Sequence, residues 1–123
     1  MTYKDLEIYQ LSLELALKIH RMTLKELPAF EVYETASQIR RSSKSTKSNI
    51  VEGFGRRCYK KDYIHFLTIA LSSNDETADH LETLFLTGSL KTKETYEELK
   101  EMIDKLGRKL CLFIQAVVKS HRT

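Results

Sequence analysis

The segment Ser48–Arg57, SNIVEGFGRR, contains residue types that could bind phosphate or carry out acid–base chemistry. It holds two of the four glycines of the chain, the carboxylate of Glu52 and the first arginines of a basic run. A phosphate-binding loop needs either a third glycine at the dinucleotide-binding spacing or Gly-Lys followed by Ser or Thr, after a strand. The segment meets neither requirement. We therefore exclude a phosphate loop and interpret the two glycines as the break between two helices.

The acidic segment NDETADHLE (residues 74–82) is the best candidate for a metal site. Asp75, Asp79 and Glu82 share one helix face, and so do Glu76 and His80. A di-iron bundle, however, requires Glu-x-x-His on two helices and two further glutamates that face inward. The sequence contains no Glu-x-x-His, and we expect neither a metal nor a cofactor.

Nucleophilic catalysis has no recognisable signature either. Cys58 and Cys111 lie far apart without a partner motif, and no Gly-x-Ser-x-Gly elbow occurs. Small helical ribonucleases have four to six residues between an arginine and a histidine, whereas seven residues separate Arg57 from His65. We therefore predict no catalytic residue and do not expect an enzyme.

The clearest chemical signal is a run of cations from residue 40 to residue 61, which we call the basic belt. It contains eight basic residues and one acid, Glu52, for a charge of +7, while the rest of the chain sums to −4. Lys and Arg neutralise phosphates, and Tyr59 and Tyr63 add surfaces on which bases can stack. The alternative is an ordinary solvated surface. The predicted nucleic-acid-binding residues are Arg40, Arg41, Lys44, Lys47, Arg56, Arg57, Lys60 and Lys61.

Hydrophobic periodicity predicts four helices that position these residues. They cover about residues 4–27, 32–53, 61–87 and 93–120. Thr2 or Asp5 is the expected N-cap of the first helix, Pro28 ends it, Gly88 follows the third, and Thr92 caps the fourth. Short connections between long helices predict an all-α fold, an antiparallel up-down four-helix bundle that forms one domain over residues 1–123.

The first predicted helix carries two apolar stripes on nearly opposite sides. One stripe consists of Leu6, Tyr9, Leu13, Ala16, Leu17, Leu24 and Leu27. A helix in a monomeric bundle needs only one apolar face, so we assign the second stripe to an interface with another subunit. A central helix in a tightly packed monomer is the alternative. The predicted interface residues are Ile8, Leu11, Leu15, Ile19 and Met22.

The second predicted helix has a core side and a polar side. The core side consists of Ala36, Ile39, Ser43, Thr46, Ile50 and Phe54. The polar stripe on the opposite side is either a solvated face or a hydrogen-bonded network between helices or subunits. Its members are Gln38, Arg41, Ser45, Asn49 and Glu52.

The segments SQIRRSSKSTKSNIVEGFGR and FLTIALSSNDE, with YKDLEIYQ near the start, resemble a family of small bacterial four-helix bundles. That family is encoded within intervening sequences of large-subunit (23S) ribosomal RNA genes, and related proteins include accessory variability determinants of diversity-generating retroelements. Thr46-Lys47 replaces an Ile-Pro pair of the family pattern, and Ser72 replaces a glycine, so a milder kink and looser helix packing are expected. The matching residues are Gln38, Arg40, Arg41, Ser45, Asn49, Ile50, Glu52, Gly53, Ile69, Ala70, Ser73 and Glu76, and we add Glu76 to the polar network.

The resemblance implies a ring-shaped homopentamer of bundles without catalytic residues. In the retroelement branch it also implies binding to nucleic acid and to a reverse transcriptase. We therefore predict a non-enzymatic homo-oligomer that binds RNA or DNA through the basic belt. The alternative is a scaffold that docks a reverse transcriptase or a ribosomal component without touching nucleic acid. The absence of a long apolar run or a signal peptide predicts a cytoplasmic protein with no membrane partner.

Overall fold

The computed structural model describes residues 1–120 and shows a bundle of four α-helices, with no strand within those residues. Short 3-10 helices at Tyr3–Asp5 and Ala29–Tyr33 precede the first and second α-helix. The helices are α1 (Glu7–Lys25), α2 (Thr35–Gly55), α3 (Lys60–Leu86) and α4 (Lys93–Lys119). The predicted all-α class and its four helices are confirmed. The last three residues of the predicted domain lie outside the described residues.

Local capping chemistry sets the ends of these elements. Thr2 and Asp5 form a reciprocal capping box, but it begins the first 3-10 helix and not α1 itself. Pro28 follows the end of α1, where its missing N–H and fixed ring prevent the helix from continuing. Gly88 follows α3 with φ of +82°, a left-handed conformation that glycine adopts without a Cβ penalty. Thr92 is the N-cap residue of α4, as predicted.

Each helix packs against its neighbours in the sequence, and α1 also packs against α4. Between α2 and α3, Ser42 contacts Thr77 and Ser45 contacts Ser73, so contact positions rise along one helix as they fall along the other. The same opposite order appears in the α3–α4 and α1–α4 pairs. Between α3 and α4 the contacts are Tyr63–Phe113, Asn74–Ile103 and Phe85–Tyr96, and between α1 and α4 they are Glu7–Lys109 and Lys18–Glu98.

All four helices contribute leucines and isoleucines to one core. Burying each such side chain stabilises the fold by about 1.5–3 kcal/mol relative to leaving it in water. On α2 the predicted core side is confirmed, since Ala36, Ile39, Ser43, Thr46, Ile50 and Phe54 are all buried.

The two stripes of α1 are arranged in the opposite way to the prediction. Ile8, Leu15, Ile19 and Met22, assigned to a subunit interface, are buried in the core of the single chain. Leu11 is partly buried and packs against the same core. The assignment of this stripe to another subunit is therefore wrong, because this is the side of α1 on which the other helices close.

Part of the other stripe faces outward instead. Leu17 and Leu24 are 48% and 66% exposed, and Leu13 is half-buried between other outward positions. Leu6 and Ala16, from the same stripe, are buried at its edges. We call Leu13, Leu17 and Leu24 the outer leucine face. Periodicity locates both apolar faces of α1, but their similar composition does not show which one the bundle buries.

Candidate nucleic-acid interface

Half of the basic belt lies along α2. Arg41 and Lys44 are exposed and Lys47 is half-buried, because these positions fall away from the core side of the helix. Arg40 points toward α1, where its Nη1 donates a hydrogen bond to Thr23 Oγ1 at 2.9 Å. Arg40 therefore helps to hold α1 against α2, while its neighbours present their charge to solvent.

The other half of the belt surrounds the connection between α2 and α3. Arg56 lies 4.0 Å from a Glu52 carboxylate oxygen and 3.7 Å from one of Asp62. Both pairs are exposed, so each contributes at most about 1 kcal/mol to stability. The Arg56 guanidinium also lies 5.0 Å from the centre of the Phe66 ring. We call the four cations around this connection the turn cluster; they are Arg56, Arg57, Lys60 and Lys61.

Two cations of the turn cluster are fixed by contacts with uncharged groups. Arg57 Nη1 donates to the Phe54 carbonyl oxygen at 2.9 Å, and its guanidinium lies 4.0 Å from the centre of the Phe54 ring. Lys60 Nζ donates to the carbonyl oxygen of Ser120 at 2.8 Å. These contacts hold Arg57 and Lys60 at one end of the bundle. Lys61 is exposed.

The two tyrosines of the belt differ in exposure. Tyr59 is 69% exposed beside the turn cluster. Tyr63 is only 7% exposed, and its ring packs edge-on against Phe113 with the centres 5.9 Å apart. Tyr59 is therefore the exposed ring of the two, whereas Tyr63 lies largely inside the bundle and lines a cavity there.

Two lysines that join α1 and α4 have carboxylate partners. Lys18 Nζ lies 2.7 Å from Glu98 Oε1, and Lys109 Nζ lies 3.2 Å from Glu7 Oε1. The hydrogen bond to Glu98 raises the pKa of Lys18, and the negative charges of Glu98 and Glu14 act in the same direction. The charges of Lys18 and Lys109 are thus paired within the chain.

The outer part of the belt lacks such partners. Within residues 1–120, no ion pair involves Arg41, Lys44 or Lys61. From Arg41 to Arg56 the belt extends about 22 Å along the helix axis. That length corresponds to about six base-pair steps of a duplex. The arrangement can neutralise the phosphates of a polyanion along one side of the bundle.

The chain is similar to known proteins in both sequence and fold. The family model of the 23S rRNA-intervening sequence protein matches residues 4–111. The chain belongs to this family. A crystal structure of a protein of unknown function from the S23 ribosomal protein family of Bacteroides thetaiotaomicron VPI-5482 is 29% identical, with a TM-score of 0.78 over 87% of this chain and 97% of that chain. The comparison with curated proteins found no match.

The residues that carry the likeness to the 23S rRNA-intervening sequence family lie largely on α2 and its contact with α3. Ser45 Oγ lies 3.0 Å from Ser73 Oγ, which joins the two helices. Asn49 Nδ2 donates to the carbonyl oxygen and to Oγ of Ser45, at 2.9 and 3.1 Å. This part of the predicted polar network is therefore hydrogen-bonded within the single chain.

The rest of the predicted polar network is spread over the surface. Gln38, Arg41, Glu52 and Glu76 are exposed. A carboxylate oxygen of Glu76 lies 3.8 Å from His80 Nε2 on the same helix. No hydrogen bond among the described residues joins these four side chains to the serine–asparagine group. In the single chain, Ser45 and Asn49 of the predicted network are hydrogen-bonded to each other. The exposed members of the network are Gln38, Arg41, Glu52 and Glu76.

No local sequence motif links α4 with the basic belt. In the structure, Phe113, Val117 and Ser120 near the end of α4 lie beside Arg57 and Lys60. The property of the sequence that indicates this contact is helix length, because α3 and α4 have 27 residues each. Lys60 at the start of α3 contacts Ser120 just after the end of α4, so the two helices of equal length meet at these ends.

Other candidate sites show no built geometry. Among residues 1–120, no group of three or more His, Cys, Asp and Glu side chains could hold a metal ion. Cys58 and Cys111 are exposed free thiols. None of the helices in the described part of the chain is long and apolar enough to cross a membrane.

Proposed function

We propose that this chain is a non-enzymatic homo-oligomeric bundle protein that binds RNA or DNA through its basic belt. The supporting observation is the contrast in charge pairing. Lys18 and Lys109 on the α1–α4 face are paired with carboxylates, whereas in residues 1–120 no ion pair reaches Arg41, Lys44 or Lys61 of the belt, which holds eight basic residues and one acid. Exposed cations in a row attract a polyanion, and each neutralised phosphate releases condensed counterions.

Structured RNA is the first ligand to test. The matching family is described by its place in 23S rRNA, and the similar solved protein is assigned to an S23 ribosomal protein family. The belt consists of flexible cations along about 22 Å, which suits contacts with backbone phosphates. Such contacts position a nucleic acid but carry little sequence information, so we expect binding that depends weakly on sequence.

We further infer an antiparallel up-down bundle that assembles into a ring in the cytoplasm, with five copies as the resemblance implies. The opposite order of contacts along each helix pair supports the antiparallel arrangement. The outer leucine face supports assembly, because it leaves two leucine side chains of one helix about half or more exposed to water. A ring repeats the belt on every subunit, so individually weak phosphate contacts add through avidity.

The proposal is tested by the salt dependence of binding. The triple variant Arg41→Gln, Lys44→Gln and Lys61→Gln removes three exposed cations of the belt that form no ion pair within residues 1–120. We expect its affinity for a structured RNA to fall at least tenfold at low salt. Its slope of log affinity against log salt should become shallower by about 0.7–0.9 for each phosphate that the variant no longer neutralises. Fluorescence anisotropy over a salt series measures both quantities.

The matched control is the triple variant Lys91→Gln, Lys100→Gln and Lys105→Gln. It changes the net charge equally at exposed positions outside the belt. We expect it to keep nearly the wild-type slope. Equal losses for the two triple variants would assign binding to net charge alone, and a flat salt response of the wild-type protein would contradict the proposal.

A protein-docking scaffold, for a reverse transcriptase or a ribosomal component, is the second candidate. The supporting observation is a groove of about 600 Å³ between α3 and α4. Leu112 in this groove is 61% exposed, and Asn74 Oδ1 is buried without a hydrogen-bond partner. A gel-shift experiment separates the two candidates: purified protein that does not shift nucleic acid would favour the scaffold.

A further inference from the structure

A small apolar cavity opens beside the turn cluster, between the start of α3 and the end of α4. Its volume is about 200 Å³. Tyr63 and Phe113 supply aromatic walls at a mutual angle of 74°, and Ala116 and Val117 supply aliphatic ones. Apolar protein cavities of about 150 Å³ are known to hold one benzene molecule. This cavity therefore has the size and lining for one aromatic ring.

Two cations stand at the rim of this cavity. Arg57 and Lys60 both line it, and each is fixed by a hydrogen bond to a backbone carbonyl. An ammonium group has three donors, and the contact with Ser120 uses one of those of Lys60. A ligand that suits this rim carries negative charge next to an aromatic ring.

A second, shallow depression adjoins the cavity and shares Lys60 with it. Tyr59, Lys60, Lys61 and Asp62 line this depression. Tyr59 exposes most of its ring there. An aromatic surface, a shared cation and an apolar cavity thus follow one another across the end of the bundle. A single nucleic-acid strand presents the same alternation of base, phosphate and base.

We propose that the cavity binds one unpaired base of a single-stranded nucleic-acid segment, with the adjacent phosphate at Lys60 and the next base against Tyr59. The inference rests on the proposed nucleic-acid binding and specifies which form of nucleic acid the turn cluster takes. A base inside a duplex is paired and stacked on both faces, and entering such a cavity would require flipping it out. The turn cluster therefore prefers unpaired segments, while the α2 part of the belt holds the backbone of either form.

The experiment uses a short single-stranded oligonucleotide that carries the fluorescent adenine analogue 2-aminopurine, and the duplex of the same sequence. The variant Ala116→Leu fills the cavity from an exposed position of α4. The matched control Gln115→Leu adds the same side chain at the neighbouring exposed position, which does not line the cavity. Circular dichroism checks that both variants remain helical.

We expect the wild-type protein to change the 2-aminopurine fluorescence of the single strand in a saturable manner and to leave that of the duplex unchanged. Ala116→Leu should abolish the change and weaken single-strand binding about fivefold or more, the effect of losing one stacked base. Gln115→Leu should behave as the wild type. Duplex affinity should be the same for all three proteins.

The outcomes separate this inference from the proposed function. If both oligonucleotides bind with a steep salt dependence but Ala116→Leu matches Gln115→Leu, the cavity inference is overturned and the belt remains the binding surface. An equal fluorescence change on the duplex would overturn the preference for unpaired bases. If neither oligonucleotide binds at low salt, both the inference and the proposed function are overturned.

Discussion

At the scale of single residues, Glu31 shows how one buried carboxylate connects distant parts of the chain. The residue is only 4% exposed. One carboxylate oxygen accepts a hydrogen bond from the backbone N–H of Thr35 at 3.2 Å, and the other accepts one from Ser89 Oγ. The first contact satisfies a free N–H at the start of α2 and places negative charge there. The second ties that helix end to the connection between α3 and α4.

Removing the hydroxyl of this tie should destabilise the fold. Ser89→Ala leaves one oxygen of the buried Glu31 carboxylate without its donor. We expect the free energy of unfolding to fall by about 1–3 kcal/mol, as for other buried polar groups that lose a partner. Urea denaturation followed by circular dichroism measures this change. Ser72→Ala, at an exposed position of α3, is the control and should stay within about 0.5 kcal/mol of the wild type. Equal effects of the two variants would contradict this role of Glu31.

At the scale of elements, the contact between α2 and α3 is made close by small residues. Ser42 Oγ lies 2.8 Å from Thr77 Oγ1, and a Cβ built on Gly53 would lie 3.2 Å from Phe66 Cβ. The looser packing expected from serine at position 72 is not observed, because Ser72 is exposed. The close approach of α2 to α3 depends on the α2 residues that face α3. Among the glycines, a Cβ built on Gly53 has the nearest neighbouring atom.

A methyl group at residue 53 should therefore push the two helices apart. Alanine normally stabilises a helix by about 0.5–1 kcal/mol relative to glycine. Gly55→Ala should show that gain, since nothing lies within 4 Å of its built Cβ. For Gly53→Ala the contact with a backbone-anchored Cβ should outweigh the gain and give a net loss of about 1 kcal/mol. Thermal unfolding of both variants compares them directly, and equal stabilisation would show that α3 can yield at this point.

Sequence patterns predicted the helices of this fold better than their faces. On α2 the apolar and polar sides differ sharply in composition, and all six predicted core positions are buried. On α1 both sides are apolar, and the packing of the neighbouring helices decides which side is buried. Ile19 is buried and Leu17 is exposed, the reverse of the expectation. The cavity beside the turn cluster joins residues such as Lys60 and Val117 that are far apart in the sequence. No local pattern encodes that proximity.

At the scale of the whole molecule, two unpartnered surfaces lie on neighbouring helices. The outer leucine face belongs to α1, and the cations without ion pairs in residues 1–120 include Arg41 and Lys44 on α2. Because α1 packs against α2, assembly through the leucines would place the basic stripes of several subunits near the same interfaces. Assembly and polyanion binding should therefore strengthen each other.

This coupling predicts that charges on the outer leucine face dissociate the assembly and weaken RNA binding together. For the wild-type protein we expect multi-angle light scattering to give the mass of five 14.3 kDa chains, about 72 kDa. The double variant Leu17→Glu and Leu24→Glu should give the mass of one chain, because burying unpaired carboxylates in an interface costs several kcal/mol. Leu86→Glu with Leu112→Glu replaces two exposed leucines elsewhere and should leave the mass unchanged. A wild-type mass near 14.3 kDa, or dissociation by the control pair alone, would refute assembly through α1, and unchanged RNA affinity after dissociation would refute the avidity argument.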